Sequence, residues 1–322
     1  MPVTVKHCSP YRRSASMNVR ASEPVPPDAR QGRGAPTSRR LFLKQSAGAL
    51  LTAGFGSSLL SACGGDNLDT DQPQTPRMAS VNNFRDIAGA AVGYPTVDGK
   101  QMRRGAFYRA NTLTFDVADQ CIVDKLSIAT VYDLRTPSEV SRVADSLPAG
   151  AIVETINVLG MRDFVTPPFD APGAANGFME SQARNYVLGA AQRASYGELL
   201  RSLAQGAGAQ LVHSTAGKDR AGWVAALLLS IANVPLDVIM QDYLLSNVYL
   251  SPTIEAQTET MRAQDGDMIA RAKAPLLGVQ ESYLQAGFDQ VQASYGTMQS
   301  YLMHGLGVPQ TTIDTLRARL VM

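Results

Sequence analysis

Residues 211–223 read Leu-Val-His-Ser-Thr-Ala-Gly-Lys-Asp-Arg-Ala-Gly-Trp, and the order of these residue types points to one kind of chemistry. An apolar run ends at His213, a loop spans Ser214 to Asp219, and Arg220 leads into an apolar helical segment, Trp223 to Ile231. A strand, a glycine-bearing loop and a helix opened by Arg form a cradle for a phosphate dianion. The loop N–H groups and the positive end of the helix dipole face the anion. The guanidinium then holds two of its oxygens at once. The pattern predicts phosphate binding by Thr215, Ala216, Gly217, Lys218 and Arg220. Two other loop chemistries fail on spacing. A nucleotide-binding P-loop needs Gly where Val212 stands and Ser or Thr where Asp219 follows Lys218. A serine-hydrolase elbow needs Gly two residues either side of the Ser, and Ser214 has Val212 and Ala216 there. His213 is also badly placed as a base for Ser214, because adjacent strand residues point to opposite faces.

The elements that must position this loop read as alternating strands and helices. Residues 128–134, 151–158 and 210–213 have strand character, and 107–109 more weakly. Helical patterns occupy about 116–126, 178–205, 221–232 and 235–247, with more toward the C-terminus. The alternation predicts an α/β fold with a central, largely parallel sheet flanked by helices. The segment 160–177, with Pro167, Pro168 and Pro172, is expected to be a loop or lid over the site, and Asp163 on it is a second candidate acid.

The start of the chain reads differently. Ser38-Arg39-Arg40-Leu41-Phe42-Leu43-Lys44 resembles a twin-arginine export signal, and a mildly apolar run from Ala47 to Leu60 follows. Leu60-Ser61-Ala62-Cys63-Gly64 resembles a lipobox, with Cys63 the lipidated residue; the alternative is plain cleavage near Ala62. The expected organisation is a signal region at 1–62, a polar tether at 63–79 and one domain at 80–322. Residues 1–62 carry nine Lys/Arg against Glu23 and Asp28, a net of +7, so the +1 of the whole chain leaves −6 for the rest. An acidic body without basic runs argues against nucleic acid as a partner. With Cys8 removed and Cys63 lipidated, Cys121 is expected to be an unpaired thiol. The expected location is extracytoplasmic or periplasmic, on a membrane through a lipid at Cys63. No metal is expected, since the exported part has only His213 and His304 and no Cys/His cluster.

Five ordered blocks extend the pattern beyond the loop. They are Asn83-Phe84-Arg85-Asp86-Ile87-Ala88-Gly89, residues 104–110 (Arg-Gly-Ala-Phe-Tyr-Arg-Ala), residues 132–139 (Tyr-Asp-Leu-Arg-Thr-Pro-Ser-Glu), residues 241–247 (Gln-Asp-Tyr-Leu-Leu-Ser-Asn) and the tail from Tyr295 to Leu320. Together with the loop they resemble the bacterial protein tyrosine phosphatase-like family that includes lipid and triple-specificity enzymes. The resemblance implies a tyrosine-phosphatase-like fold and hydrolysis of phosphate monoesters without a cofactor. It implies that Ser214 occupies the place of the Cys nucleophile, that Asp219 is the general acid or base, and that His213 orients the loop by hydrogen bonding. Arg85, Asp86, Asp133 and Arg135 are expected to form supporting ion pairs. The ligand would be a phosphorylated small molecule, a lipid head group or a phosphoprotein. Two departures weaken turnover: Ser214 replaces a readily ionised thiol by an alcohol, and Ala221 stands where the family usually has a hydroxyl. Three outcomes follow from this reading: a weakened phosphatase, a pseudophosphatase that binds a phosphorylated ligand without turnover, and a lipoprotein scaffold.

Overall fold

The computed structural model describes residues 77–169, 171 and 173–322. The export signal, the lipobox with Cys63 and most of the tether lie outside the described residues. Five strands form one sheet: β1 (Arg85–Asp86), β2 (Phe107–Ala110), β3 (Ile128–Asp133), β4 (Ile152–Thr155) and β5 (Ala209–His213), in the order β1-β2-β5-β3-β4. Only the β1–β2 pairing is antiparallel, so the α/β expectation of a largely parallel sheet holds.

The helices are α1 (Val117–Val123), α2 (Pro137–Arg142), α3 (Ala174–Leu188), α4 (Ala190–Gln205), α5 (Arg220–Ile231), α6 (Leu236–Asp265), α7 (Asp267–Lys273), α8 (Glu281–Tyr295), α9 (Met298–Ser300) and α10 (Gln310–Leu320). The strand residues alternate between two cores, as a period of two requires. Tyr108, Val131 and Leu211 pack on one face with Phe84, Leu113 and Val123. Phe107, Tyr132 and Val212 pack on the other with α4 and α5. Helix α5 is buried on nearly every residue from Arg220 to Ile231, as expected of a helix apolar on all sides.

Three local expectations need correction. The single helix expected over 178–205 is two helices, because the chain extends at Gly189. Helix α6 runs far past Asn247, through Pro252. Pro252 has no N–H for the Val248 carbonyl, and the Ser251 hydroxyl donates to that carbonyl instead at 3.2 Å. Cys121 is disulfide-bonded rather than unpaired. A free thiol at Cys121 would require Cys8 to leave with the leader and Cys63 to carry a lipid.

Candidate active site

The parallel register sets where chemistry can happen. Ala110 and Asp133 both lie opposite His213, and Asp133 lies opposite Thr155, so four strands end together. Open α/β sheets bind ligands beyond these carboxyl ends. The segments that leave them bring in Thr112, Glu139, Leu159 and the loop Ser214–Arg220.

The loop is held from outside by its carbonyls. The Thr215 carbonyl accepts from the Thr112 N–H and hydroxyl, both at 3.2 Å. The Ala216 carbonyl accepts from Asn83 Nδ2 at 2.9 Å. The Gly217 and Lys218 carbonyls accept from Arg109 Nη2 at 2.7 and 3.4 Å. In a trans peptide the following N–H points opposite to the carbonyl. Turning these four carbonyls outward therefore turns the N–H groups of Ala216, Gly217, Lys218 and Asp219 inward. The Gly217 N–H donates to Ser214 Oγ at 3.2 Å, which puts that oxygen on the inner side of the loop. Gly217 has φ +68°, and a Cβ there would sit 2.2 Å from the Ala110 carbonyl oxygen, so the turn admits no side chain.

Arg220 is fixed by a residue that sequence reasoning did not single out. Its Nη1 and Nη2 each donate to a Glu139 carboxylate oxygen at 2.7 Å, and the Thr215 hydroxyl donates to Glu139 Oε1 at 2.5 Å. Glu139 also accepts the Thr136 N–H, closing the capping box of α2. Burial pushes the Glu139 carboxyl up, but the Arg220 guanidinium and the Thr215 hydroxyl outweigh it and hold it at about 2. Burial pulls the Arg220 guanidinium down, and Glu139 outweighs that too, so it stays fully charged. The capping-box pattern Thr136-Pro-Ser-Glu139 was visible in the sequence; its second use, as an anchor for Arg220, was not.

The other predicted residues fall into distinct places. Lys218 is buried, and its ammonium donates to both Asp219 oxygens at 3.0 and 2.8 Å. Asp219, a quarter exposed, lines a cavity of about 190 Å³ together with Ser214, Arg220 and Glu139. The rest of its wall is largely apolar and aromatic, with Leu159, Phe164, Phe178, Met179 and Tyr186. Asp163 does not line this cavity. It pairs with Arg142 at the surface at 2.8 Å, while Phe164 and Thr166 of the same segment reach the wall. Arg85 pairs with Asp242 rather than Asp86, and holds Asn83 through its side-chain oxygen at 2.5 Å. Asp86 accepts from the N–H groups of Ala88 and Gly105 and faces Arg104 at 3.8 Å.

His213 does not hydrogen-bond the loop through its ring. Nε2 lies 3.4 Å from Asp145 and 3.6 Å from Asp133, within ion-pair distance but without hydrogen-bond alignment. The strand direction carries its side chain away from Ser214 toward those carboxylates. Asp133, Asp145 and His213 stand close enough to share a cation. The Arg135 guanidinium already occupies that position, at 2.8 Å from Asp133 and 2.5 Å from Asp145.

A sequence model of the tyrosine phosphatase family matches residues 76–322. The chain belongs to this family. It is 29% identical over 252 residues to a Cupriavidus necator protein that bears a tyrosine-protein phosphatase name, covering 73% of this chain and 89% of that protein. It is 28% identical over 278 residues to the triple specificity protein phosphatase PtpB of Mycobacterium tuberculosis, covering 74% and 96%. A tyrosine-protein phosphatase of Nostoc commune is 32% identical over 212 residues, covering 63% and 69%.

Proposed function

We propose that this protein binds phosphate monoesters in the Ser214–Arg220 loop and turns them over slowly or not at all, because Ser214 stands at the nucleophile position. The observation that carries the reading is the loop itself: four carbonyls tied outward, N–H groups turned inward and Arg220 held at both terminal nitrogens by Glu139. That arrangement stabilises a dianion at the N-terminus of a buried helix whatever side chain stands at position 214. In turnover, Ser214 Oγ would attack phosphorus while Asp219 takes the hydroxyl proton and passes it to the leaving oxygen. Arg220 and the inward N–H groups would hold the equatorial oxygens, and water would then hydrolyse the phosphoserine to release phosphate and restore Ser214. The alcohol is the weak part. A pseudophosphatase, binding without turnover, is the same site with the attack step lost.

The ligand class is a phosphorylated small molecule, a lipid head group or a phosphoprotein. Export by the twin-arginine route belongs to the same proposal, resting on the Ser38–Lys44 motif. Anchoring through Cys63, proposed on the Leu60–Gly64 motif, requires Cys121 to be free of its disulfide, since Cys8 and Cys63 are the other cysteines of the chain. Among the described residues no helix is long and apolar enough to cross a membrane. The test is an aryl phosphate assay beside a melting curve with tungstate. Tungstate is expected to raise the melting temperature while aryl phosphate is released at or near the uncatalysed rate. Rapid, Ser214-independent release would refute the assigned role of Ser214, and no tungstate shift at millimolar concentration would refute the binding site.

A further inference from the structure

Arg109 is completely buried beneath the phosphate loop, where a guanidinium is costly to place. Burial, and then the nearby Arg85 charge, pull its guanidinium down to about 9 against the opposing pull of Asp242. Its contacts divide cleanly. Nη1 donates to Asp242 Oδ2 at 3.1 Å, Nη2 donates to the Gly217 and Lys218 carbonyls, and Nε has no partner among the described residues. Asp242, on α6, is held in turn: its other oxygen accepts from Tyr94 at 3.2 Å and from Arg85 Nε at 3.4 Å. The chain also makes room for this arrangement. Gly222 lies in the first turn of α5, where Gly is a poorer helix former than Ala. A Cβ there would sit 3.0 Å from Arg109 Nη2 and 3.1 Å from the Tyr243 ring.

We infer that Arg109, aimed by Asp242 and admitted by Gly222, is a positioning residue that sets the peptide orientation of the phosphate loop. By drawing the Gly217 and Lys218 carbonyls outward it turns the Lys218 and Asp219 N–H groups toward the anion. A lysine could not do this, since one ammonium lacks the planar fork that serves a carboxylate on one side and two carbonyls on the other. The inference rests on the phosphate-site reading and adds to it the residue that keeps the site in its binding geometry from behind.

The test is calorimetric titration of tungstate into the full chain, well below its melting temperature, for wild type and three variants. Asp242→Asn removes the charge that aims Arg109. Gly222→Ala keeps every hydrogen-bonding group and presses a methyl 3.0 Å from Arg109 Nη2, so the guanidinium must give by a few tenths of an ångström. Val291→Ala, in the core on α8, is a control destabilised by a cavity. The expected result is binding about tenfold or more weaker in Asp242→Asn and Gly222→Ala, with wild-type affinity in Val291→Ala. If Asp242→Asn does not fold, Gly222→Ala decides. Folded variants that melt lower yet bind tungstate as tightly as wild type would overturn the inference, as would equal weakening in Val291→Ala. A wild-type chain that binds no tungstate would instead refute the phosphate site and take this inference with it.

Discussion

Replacing Ser214 by Cys should convert the site into an active phosphatase, and the size of the gain follows from the loop. Ser214 Oγ accepts the Gly217 N–H at the N-terminus of a buried helix, with the Arg220 guanidinium in the same cavity. Such surroundings lower a cysteine pKa from about 8.5 by about 4 units, so a thiolate dominates at neutral pH. An alcohol ionises many powers of ten less readily than a thiol. The same surroundings still leave Ser214 about five powers of ten short of ionisation at pH 7, a cost of about 7 kcal/mol that falls on the rate. General-base help from Asp219 could recover about two of those powers. Ser214→Cys is therefore expected to raise kcat for an aryl phosphate by about three to five powers of ten, with little change in tungstate affinity. Initial-rate measurements at pH 6–7, beside a tungstate titration of both proteins, check this. A Cys variant that folds and binds tungstate but turns over no faster than the Ser chain would refute the claim that the Ser214 alcohol, more than Ala221, limits this site.

Four other outcomes follow from the same geometry. In the Ser214→Cys background, Asp219→Asn should cost about two to four powers of ten in kcat. Asp163→Asn should leave kcat nearly unchanged, since Asp163 pairs with Arg142 at the surface; the reverse ranking would move the acid role to the 160–177 segment. Glu139→Gln should destabilise the chain by about 3 kcal/mol at pH 7 and weaken tungstate binding. Because the folded Glu139 value (about 2) lies below its ordinary 4.5, this contribution is present above pH 4.5 and fades as pH falls toward 2; urea melts at pH 3 and 7 that show an equal difference would contradict it. Asp86 runs the other way. Burial raises it to about 6 against the Gly105 and Ala88 N–H groups and the Arg104 charge. Its stabilising contribution is full below pH 3.8 and lost as pH rises through about 6, worth about 3 kcal/mol. Asp86→Asn should therefore gain stability relative to wild type between pH 4 and 7, and a pH-independent difference would count against this. Gly217→Ala should abolish tungstate binding, because its Cβ meets the Ala110 carbonyl oxygen at 2.2 Å and the positive φ costs about 1–2 kcal/mol more.

What the sequence could show was local. The strand ending at His213, the glycine turn and the Arg at the head of a helix all sit within eight residues, and their spacing alone predicts an anion cradle. The strands β2, β3 and β5 were legible because each is a short apolar run next to a helical period. The helix break at Gly189 and the passage of α6 through Pro252 were not. Each depends on what the backbone does at one residue, and in α6 on a neighbouring hydroxyl that takes the orphaned carbonyl. The supporting layer was hidden for another reason. Glu139 reaches Arg220 across 81 positions, and Arg109 reaches Gly217 across 108 and Asp242 across 133. No local pattern marks such partners, and Arg85 could not be assigned Asp242 over the adjacent Asp86 before the fold placed α6 beside β1 and β2.

Calorimetric titration of tungstate into the full chain and its Arg220→Met variant tests most directly whether the Ser214–Arg220 loop holds phosphate despite a nucleophile unsuited to fast turnover. One tungstate per chain is expected to bind with a dissociation constant below about 1 mM, with loss of binding in the variant. Absence of binding to the wild-type chain, or equal binding by Arg220→Met, would contradict that expectation.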